Sequence, residues 1–423
     1  MASTTDDVTL RTELPAARPA PTRTGYADHR EDAAVIDDDA QAVLVARELA
    51  VEFAAGAAER DAERRAPVAE LARLSASGLL GITVPAVYGG ADVAAQTLAE
   101  VVRLLASADP NIAQIPQSHF TYVNVLRQQG SDEQQRFFFA EILAGRRFGN
   151  AQSEAGTRHV QDYRTRLTAD GGGFLLTGVK HYSTGALFAD WIPVLARGDD
   201  EKLYVAYVPA GAPGMTIRDD WTGMGQRTTA SGTVELDRVR VPADRVVPHH
   251  LTFTGPQLHG AYSQLVHTAI DAGIARAALD EAGEFVRTRT RPWAESGVDR
   301  AADDPLLIQR FGELAVQVRA TEALLVDAAR AIDTARAALT EDSAAAASIA
   351  VAVAKAFADG TAIEVTSALF EVGGTRSSLD PLNLHRHWRN ARTHTLHDPV
   401  RWKLQHIGRY VLNGTRPPRH GLI

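Results

Sequence analysis

Sixteen residues near the C-terminus, Leu384 to Pro399 (LHRHWRNARTHTLHDP), concentrate titratable chemistry. Five arginines or histidines precede Thr393, and His394, His397, Asp398 and Pro399 follow it. Imidazole changes charge near neutral pH and suits proton transfer, while arginine suits phosphate and other anions. His394 and His397 are three apart, so on a helix they share a face. Pro399 is expected to turn the chain. Besides proton transfer, the pair also reads as buried structural histidines. A metal pair would need further ligands that the sequence does not place.

Four other clusters carry candidate chemistry. The run Asn150-Ala-Gln-Ser153-Glu-Ala-Gly offers amides, hydroxyls and backbone N–H groups to a flat heterocycle, or serves as a capping connector. Lys180 to Ala186 sets Ser183 and Thr184 just after an apparent strand, for function or to satisfy turn amides. Trp221, in the polar loop Asp219 to Thr229, reads as a ring-stacking residue or as an interface aromatic. Two cationic stretches read as phosphate sites or as helix ends: Arg287 to Trp293, with Arg291, and Phe370 to Arg376, where two glycines precede Arg376.

The elements that must position these residues fall into three blocks. Residues 1–35 are rich in Pro, Thr, Arg and Asp without apolar period and read as a disordered arm. Residues 36–150 read as helical, and Asp109-Pro-Asn opens a helix carrying Gln114, Ser118, His119 and Tyr122. Residues 151–255 hold short apolar runs between Gly, Pro and Asp turns, the pattern of an antiparallel β domain. Residues 256–423 return to long helical patterns with alanine-heavy faces, as in a four-helix bundle, and end in a loose tail. The fold class is α+β, with helices before and after the sheet.

Composition narrows the function. With 423 residues, 45% hydrophobic and 23% charged, the chain reads as an ordinary globular enzyme. A formal charge of -8 argues against nucleic acid or an anionic membrane as main partner. The absence of cysteine excludes thiolate catalysis and cysteine-ligated metal sites. No continuous run of about 18 apolar residues reads as a membrane span. The N-terminus lacks the basic and then apolar plan of a signal peptide, so a cytoplasmic enzyme is expected.

Taken together, the three blocks resemble the acyl-CoA dehydrogenase fold from about residue 37 to 415. Val84-Pro-Ala-Val-Tyr-Gly-Gly, Asn150-Ala-Gln-Ser-Glu, Gly178-Val-Lys-His-Tyr-Ser-Thr-Gly-Ala and Arg389-Asn-Ala-Arg392 carry the likeness. Where that family has a catalytic Glu followed by Gly, this chain has Asp398-Pro399, one methylene shorter and stiffened by proline. A base cannot simply be moved this way and still reach its proton. The stretch from Arg389 to Pro399, with Arg291-Pro-Trp293 and Asp219-Asp-Trp221, instead resembles the flavin-dependent monooxygenase branch, typified by dibenzothiophene monooxygenase and sulfur-acquisition oxidoreductases.

That resemblance implies reduced FMN supplied by a separate NAD(P)H:flavin reductase, a C4a-hydroperoxide formed with O2, and oxygen transfer to a small organosulfur substrate. It implies a homotetramer, with Asn150, Ser153 and Thr184 on the flavin, Trp221 beside its ring, and Arg291 (from a neighbouring subunit) and Arg376 on its phosphate. His397, assisted by His394, would manage protons, with Thr184 beside the reactive flavin. Gln114 and Ser118 stand where dibenzothiophene monooxygenase has histidine and tyrosine, and with His119 would line the substrate pocket. The alternatives are an FAD-dependent acyl-CoA dehydrogenase with a displaced base, and a catalytically silent binding protein.

Overall fold

The structure, a computed structural model, describes residues 33–423. The arm expected at 1–35 lies almost wholly outside them. Helices come first: α1 (Asp39–Ala54), α2 (Ala57–Glu63), α3 (Val68–Ala76) and α4 (Ala95–Ala108). Asp38 caps α1 by accepting the Gln41 N–H at 2.8 Å. Asp109 likewise caps α5 (Pro110–Gln114), its Oδ1 accepting from Asn111 N at 3.0 Å. The single helix expected through Gln114 and Tyr122 is broken. Pro116 has no N–H to donate and crowds the preceding turn, so α5 stops and α6 (Gln117–Gln129) starts afresh. A Ser131/Gln134 capping box opens α7 (Asp132–Leu143).

The sheet follows with β1 (Arg166–Asp170), β2 (Gly173–Lys180), β3 (Trp191–Gly198), β4 (Leu203–Pro209), β5 (Met215–Ile217), β6 (Val234–Pro242) and β7 (Val246–Val247). Its order is β5-β6-β2-β1-β3-β4-β7. Gly171 and Gly172, at φ +54° and +92°, make the β1–β2 turn, where residues with a Cβ would be strained. The sheet is mixed, where an antiparallel one was expected: β1 and β3 pair in parallel through Arg166↔Arg197 and Leu167↔Gly198. After β2 the chain does not return by a hairpin; residues 181–190 cross over and enter β3 in the direction of β1. That crossover holds Thr184.

Long helices complete the chain: α8 (His259–Arg289), α9 (Pro305–Ala337), α10 (Glu341–Gly373), then α11 (His385–His394) and α12 (Val400–Asn413). By length and composition α10 is apolar enough to cross a membrane, although no continuous apolar run marks it. Most of that stretch is buried inside the protein, as befits a core helix. The N-terminal helices and the bundle share one core, in which Leu98, Val102 and Leu105 of α4 join Leu265, Ala269 and Ile270 of α8. Gly273 lets α4 approach, since a Cβ there would lie 2.6 Å from Arg103 O. The sheet has its own core around Leu167, Val194, Val208 and Leu236. The tail, expected to be loose, is docked: Ile423 is buried, and Lys403 donates to Leu422 O.

Candidate active site

The first wall is built from α5, α8 and α11. Helix α11 ends at His394, and His397 lies in the following turn, its N–H bonded to His394 O at 3.0 Å, so the two do not share a helical face. They meet through a residue that sequence reasoning missed. His267 of α8 sets Nδ1 3.1 Å from His394 Nε2. Its ring lies 3.9 Å from that of His397, at 36°. His394 Nδ1 stands 2.6 Å from Asp271 Oδ1, and Nε2 is also 3.1 Å from Gln114 Oε1. Asp271 follows His267 by one helical turn and so shares its face.

Charge is balanced beneath this wall. Lys355 Nζ lies 3.1 Å from Asp271 Oδ2 and also bonds Asp359. Burial works against an ionised Asp271, but His394 and Lys355 hold its carboxyl below the usual range. Asp359 is pushed up to about 8 by burial and by the neighbouring Asp271. Burial lowers the pKa of His394 despite Asp271, and lowers that of His267 further with help from His397 and His394. His397 is the exposed member, its Nδ1 3.3 Å from Asp398 Oδ1. Asp398 in turn lies 2.7 Å from Lys403. Although burial opposes it, His397 and Lys403 hold the Asp398 carboxyl well below the ordinary range. So committed a carboxylate is a poor base, which weighs against the displaced-base dehydrogenase reading.

The second wall comes from loops of the sheet domain. Thr184 Oγ1 lies 2.7 Å from Ser231 Oγ, itself 2.7 Å from Thr229 Oγ1. Asn150 Nδ2 donates to Tyr182 O at 3.3 Å, while its Oδ1 is buried without a partner among the described residues. Ser183 Oγ, Thr228 Oγ1 and both amide atoms of Gln226 share that condition. Tyr182, Gln226 and Ala230 hold φ of +62°, +50° and +47°, strain of the kind that collects at binding sites. Buried polar groups cost stability unless paired. Unmet donors and acceptors clustered with a hydroxyl row fit the edge of a flavin. Trp221 donates Nε1–H to Gln226 O at 2.7 Å and meets Tyr182 edge-on. Ser153 contributes its carbonyl, accepting the His181 N–H at 3.0 Å.

The two walls are tied together. Gly225 N donates to Thr393 Oγ1 at 3.1 Å, Gln226 N to Asn390 Oδ1 at 2.7 Å, and Thr228 N to Asn111 Oδ1 at 3.3 Å. Gly185 packs on Ile115, where a Cβ would lie 3.1 Å from its side chain. Ile115 adjoins Gln114, so Thr184 and His394 occupy neighbouring walls.

His119 is placed differently from expectation, and Ser118, Arg291 and Arg376 stand apart from the histidines. His119 does not line a pocket: its Nε2 lies 2.9 Å from Leu80 O, its Nδ1 accepts the Phe148 N–H at 3.1 Å, and Phe120 and Phe148 pack around it. Burial pushes it down to about 4, so it is a neutral core histidine. Ser118 is buried, with Oγ 3.3 Å from Gln117 Oε1; Gln117 also reaches Thr121 and Ser263 of α8, making a polar patch. Arg291 follows α8, whose C-terminal end lies about 33 Å from His267 at 1.5 Å per residue. Thr290 donates to Gly373 O at 3.4 Å, so Arg291 and Arg376 come out at the same end, both exposed. They do not join the histidines of their own protomer.

The sheet between two helical blocks, with the two walls meeting where they join, is the architecture of one family. Family models of the acyl-CoA dehydrogenase N-terminal, middle and C-terminal domains match residues 37–146, 148–239 and 265–402, and the chain belongs to this family. Within it, the chain is a flavin-dependent monooxygenase. It is 35% identical to dibenzothiophene monooxygenase of Rhodococcus erythropolis, over 90% of this chain and 95% of that one. It is 33% identical to the probable FMNH2-dependent monooxygenase SfnC of Pseudomonas putida, over 89% and 96%. Among solved structures, FMN-bound TdsC from Paenibacillus sp. A11-2 superposes with a TM-score of 0.86 at 31% identity, covering 90% of this chain and 100% of that one. Methanesulfinate monooxygenase MsuC from Pseudomonas fluorescens gives 0.83 at 33%, covering 90% and 99%.

Proposed function

We propose that this chain is the oxygenase of a two-component system. It takes FMNH2 from a separate NAD(P)H:flavin reductase and, with O2, delivers one oxygen atom to a small organosulfur compound. The observation that carries this reading is the wall of unmet polar groups around Asn150 and Thr184, next to a histidine fixed by a buried carboxylate. When bound, the flavin supplies the electrons that split O2, one atom going to the substrate and the other to water. The protein does the rest. Asn150 and the Thr184–Ser231–Thr229 hydroxyls orient the ring, with Ser153 and Trp221 at its border, and the enclosed wall excludes water. His394, aligned by Asp271, and the more exposed His397 hold and move protons.

The polar patch of Gln117, Thr121 and Ser263, together with Gln114 and Ser118, supports a small polar substrate such as a sulfone, sulfide or sulfonate over a large apolar ring system. Relatives' names point to sulfur chemistry of both sizes. The remoteness of Arg291 and Arg376 from the histidines supports their serving the phosphate of a flavin in a neighbouring copy. Exposed Leu306 and Val316 on α9 and Leu404, Val411 and Leu412 on α12 support burial of those faces in a cytoplasmic homotetramer. The test supplies the protein with FMN, a flavin reductase, NADH, 18O2 and methanesulfinate or a dialkyl sulfide, with product mass read. One 18O per product is expected. Flavin oxidation without labelled product across an organosulfur panel, together with reduction of bound FAD by acyl-CoA thioesters, would sink the proposal.

A further inference from the structure

We propose that His267 is a relay residue of the reaction centre, the outer member of a chain Asp271–His394–His267 whose exchangeable position is His267 Nε2. This rests on the reading of the two walls as the reaction centre. Three observations carry it. Asp271 Oδ1 lies 2.6 Å from His394 Nδ1, so a carboxylate fixes the proton of His394 on that nitrogen. The other nitrogen, Nε2, then faces His267 Nδ1 at 3.1 Å. His267 is wholly buried, yet its Nε2 has no hydrogen-bond partner among the described residues.

The tautomers follow from donor and acceptor counting. With His394 neutral, its bare Nε2 accepts from His267 Nδ1–H, which leaves His267 Nε2 bare as well. When a proton arrives at His267 Nε2, the Nδ1–H bond breaks and an N–H bond forms at His394 Nε2. His394 becomes an imidazolium beside Asp271, and His267 ends neutral with its proton on Nε2. One proton has moved inward and no electron has moved; the reverse returns it to the reacting oxygen or water.

The groups facing the relay favour charge on His394 over His267. Asp271 touches His394, whereas His397 stacks on His267, with Lys355 beyond Asp271 and the Asp398–Lys403 pair beyond His397. Gln114 also reaches His394 Nε2 at 3.1 Å and can turn its amide to suit either state. His397 forms no hydrogen bond to His267 among the described residues, so it stands beside the relay and is not a link in it.

The test uses the full chain without flavin, labelled with 15N at histidine, with long-range nitrogen–proton NMR at about pH 8.5, above the usual histidine range. Signals are assigned by their loss in His267→Gln and His394→Gln. Both residues are expected as Nδ1–H tautomers; His267 found with its proton on Nε2 overturns the relay. This readout needs no turnover, so it stands or falls apart from the monooxygenase reading. In the reconstituted reaction, His267→Gln is expected to lower kcat roughly a hundredfold with KM little changed, the scale of one proton-transfer group. An unchanged kcat with an unchanged solvent isotope effect would equally overturn it.

Discussion

Lys180 Nζ lies 2.7 Å from Glu154 Oε1, with both side chains buried. Glu154 also accepts the N–H groups of Arg164 and Thr165 and the Thr165 hydroxyl. Lys180 donates as well to Gln152 O at 3.0 Å. The pair therefore pins the Asn150–Ser153 run to the end of β2, four residues before Thr184. Glu154→Gln leaves a buried ammonium without its counter-charge and is expected to cost about 3 kcal/mol, read as a lower urea midpoint. Flavin binding should fall with it, since Asn150 loses its anchor.

Thr184 separates role from packing. Thr184→Val keeps the shape and removes the hydroxyl that meets Ser231. Turnover with reduced FMN is expected to fall about a hundredfold, the usual scale for one aimed donor, while Thr184→Ser keeps most of it. Equal rates in all three proteins would show that the hydroxyl row merely satisfies itself.

Buried histidines give the fold an acid limit. The folded pKa of His119, at about 4, lies below its unfolded value of 6.5. The unfolded chain therefore takes up the proton first. This stability is whole above pH 6.5 and is lost as pH falls towards 4. At about 1.4 kcal/mol per pKa unit it amounts to about 3 kcal/mol. His249, pushed down to about 3, and His259, to about 4, act in the same direction, burial being the largest cause in each. Urea midpoints should drop between neutral and mildly acid pH. His119→Gln should be less stable at neutral pH but show a shallower drop.

Arg291 and Arg376 are exposed at one end of the bundle, so truncating either should leave folding stability nearly untouched. Arg291→Ala and Arg376→Ala are expected to weaken FMN binding about tenfold, the scale of a lost charge-assisted hydrogen bond, and to flatten its salt dependence. Titration by flavin fluorescence decides this; unchanged affinity in both variants would remove these arginines from the cofactor site.

Gly225 offers a steric test of the tie between walls. A Cβ there would lie 1.9 Å from Arg389 O, too close for any adjustment short of undocking the loop. Gly225→Ala is expected to cost about 1–3 kcal/mol, as overpacked sites do, and to abolish flavin binding before it abolishes folding. Fluorescence titration against circular dichroism separates the two.

Much of this architecture was legible because short-range rules govern it. Apolar period and caps gave the helices, Asp109 among them, and Gly171-Gly172 gave the hairpin. Pro116 was the visible breaker whose effect on the Gln114–Tyr122 helix was not drawn. Residues joined across the chain were harder. His267 and Asp271 sit inside an alanine-rich helical pattern whose apolar face at Ile270 and Ile274 absorbed the reading. An imidazole and a carboxylate one turn apart on such a helix were the available signal. The parallel β1–β3 pairing and the docked tail depend on where distant segments pass, which no local pattern encodes. Even His119, next to the pocket in sequence, turned the other way once Pro116 had reset the helix.

The loop from Gly225 to Thr228 is gripped by its main chain: the donors are backbone N–H groups of Gly225, Gln226 and Thr228, and the acceptors are Thr393, Asn390 and Asn111. Its side chains are thereby released from the duty of holding it. A library that varies Gln226, Arg227 and Thr228 while sparing the three acceptors keeps its scaffold and changes only what greets the guest. The candidate site is thus open to retuning by directed evolution from the sheet side, with the histidines left undisturbed.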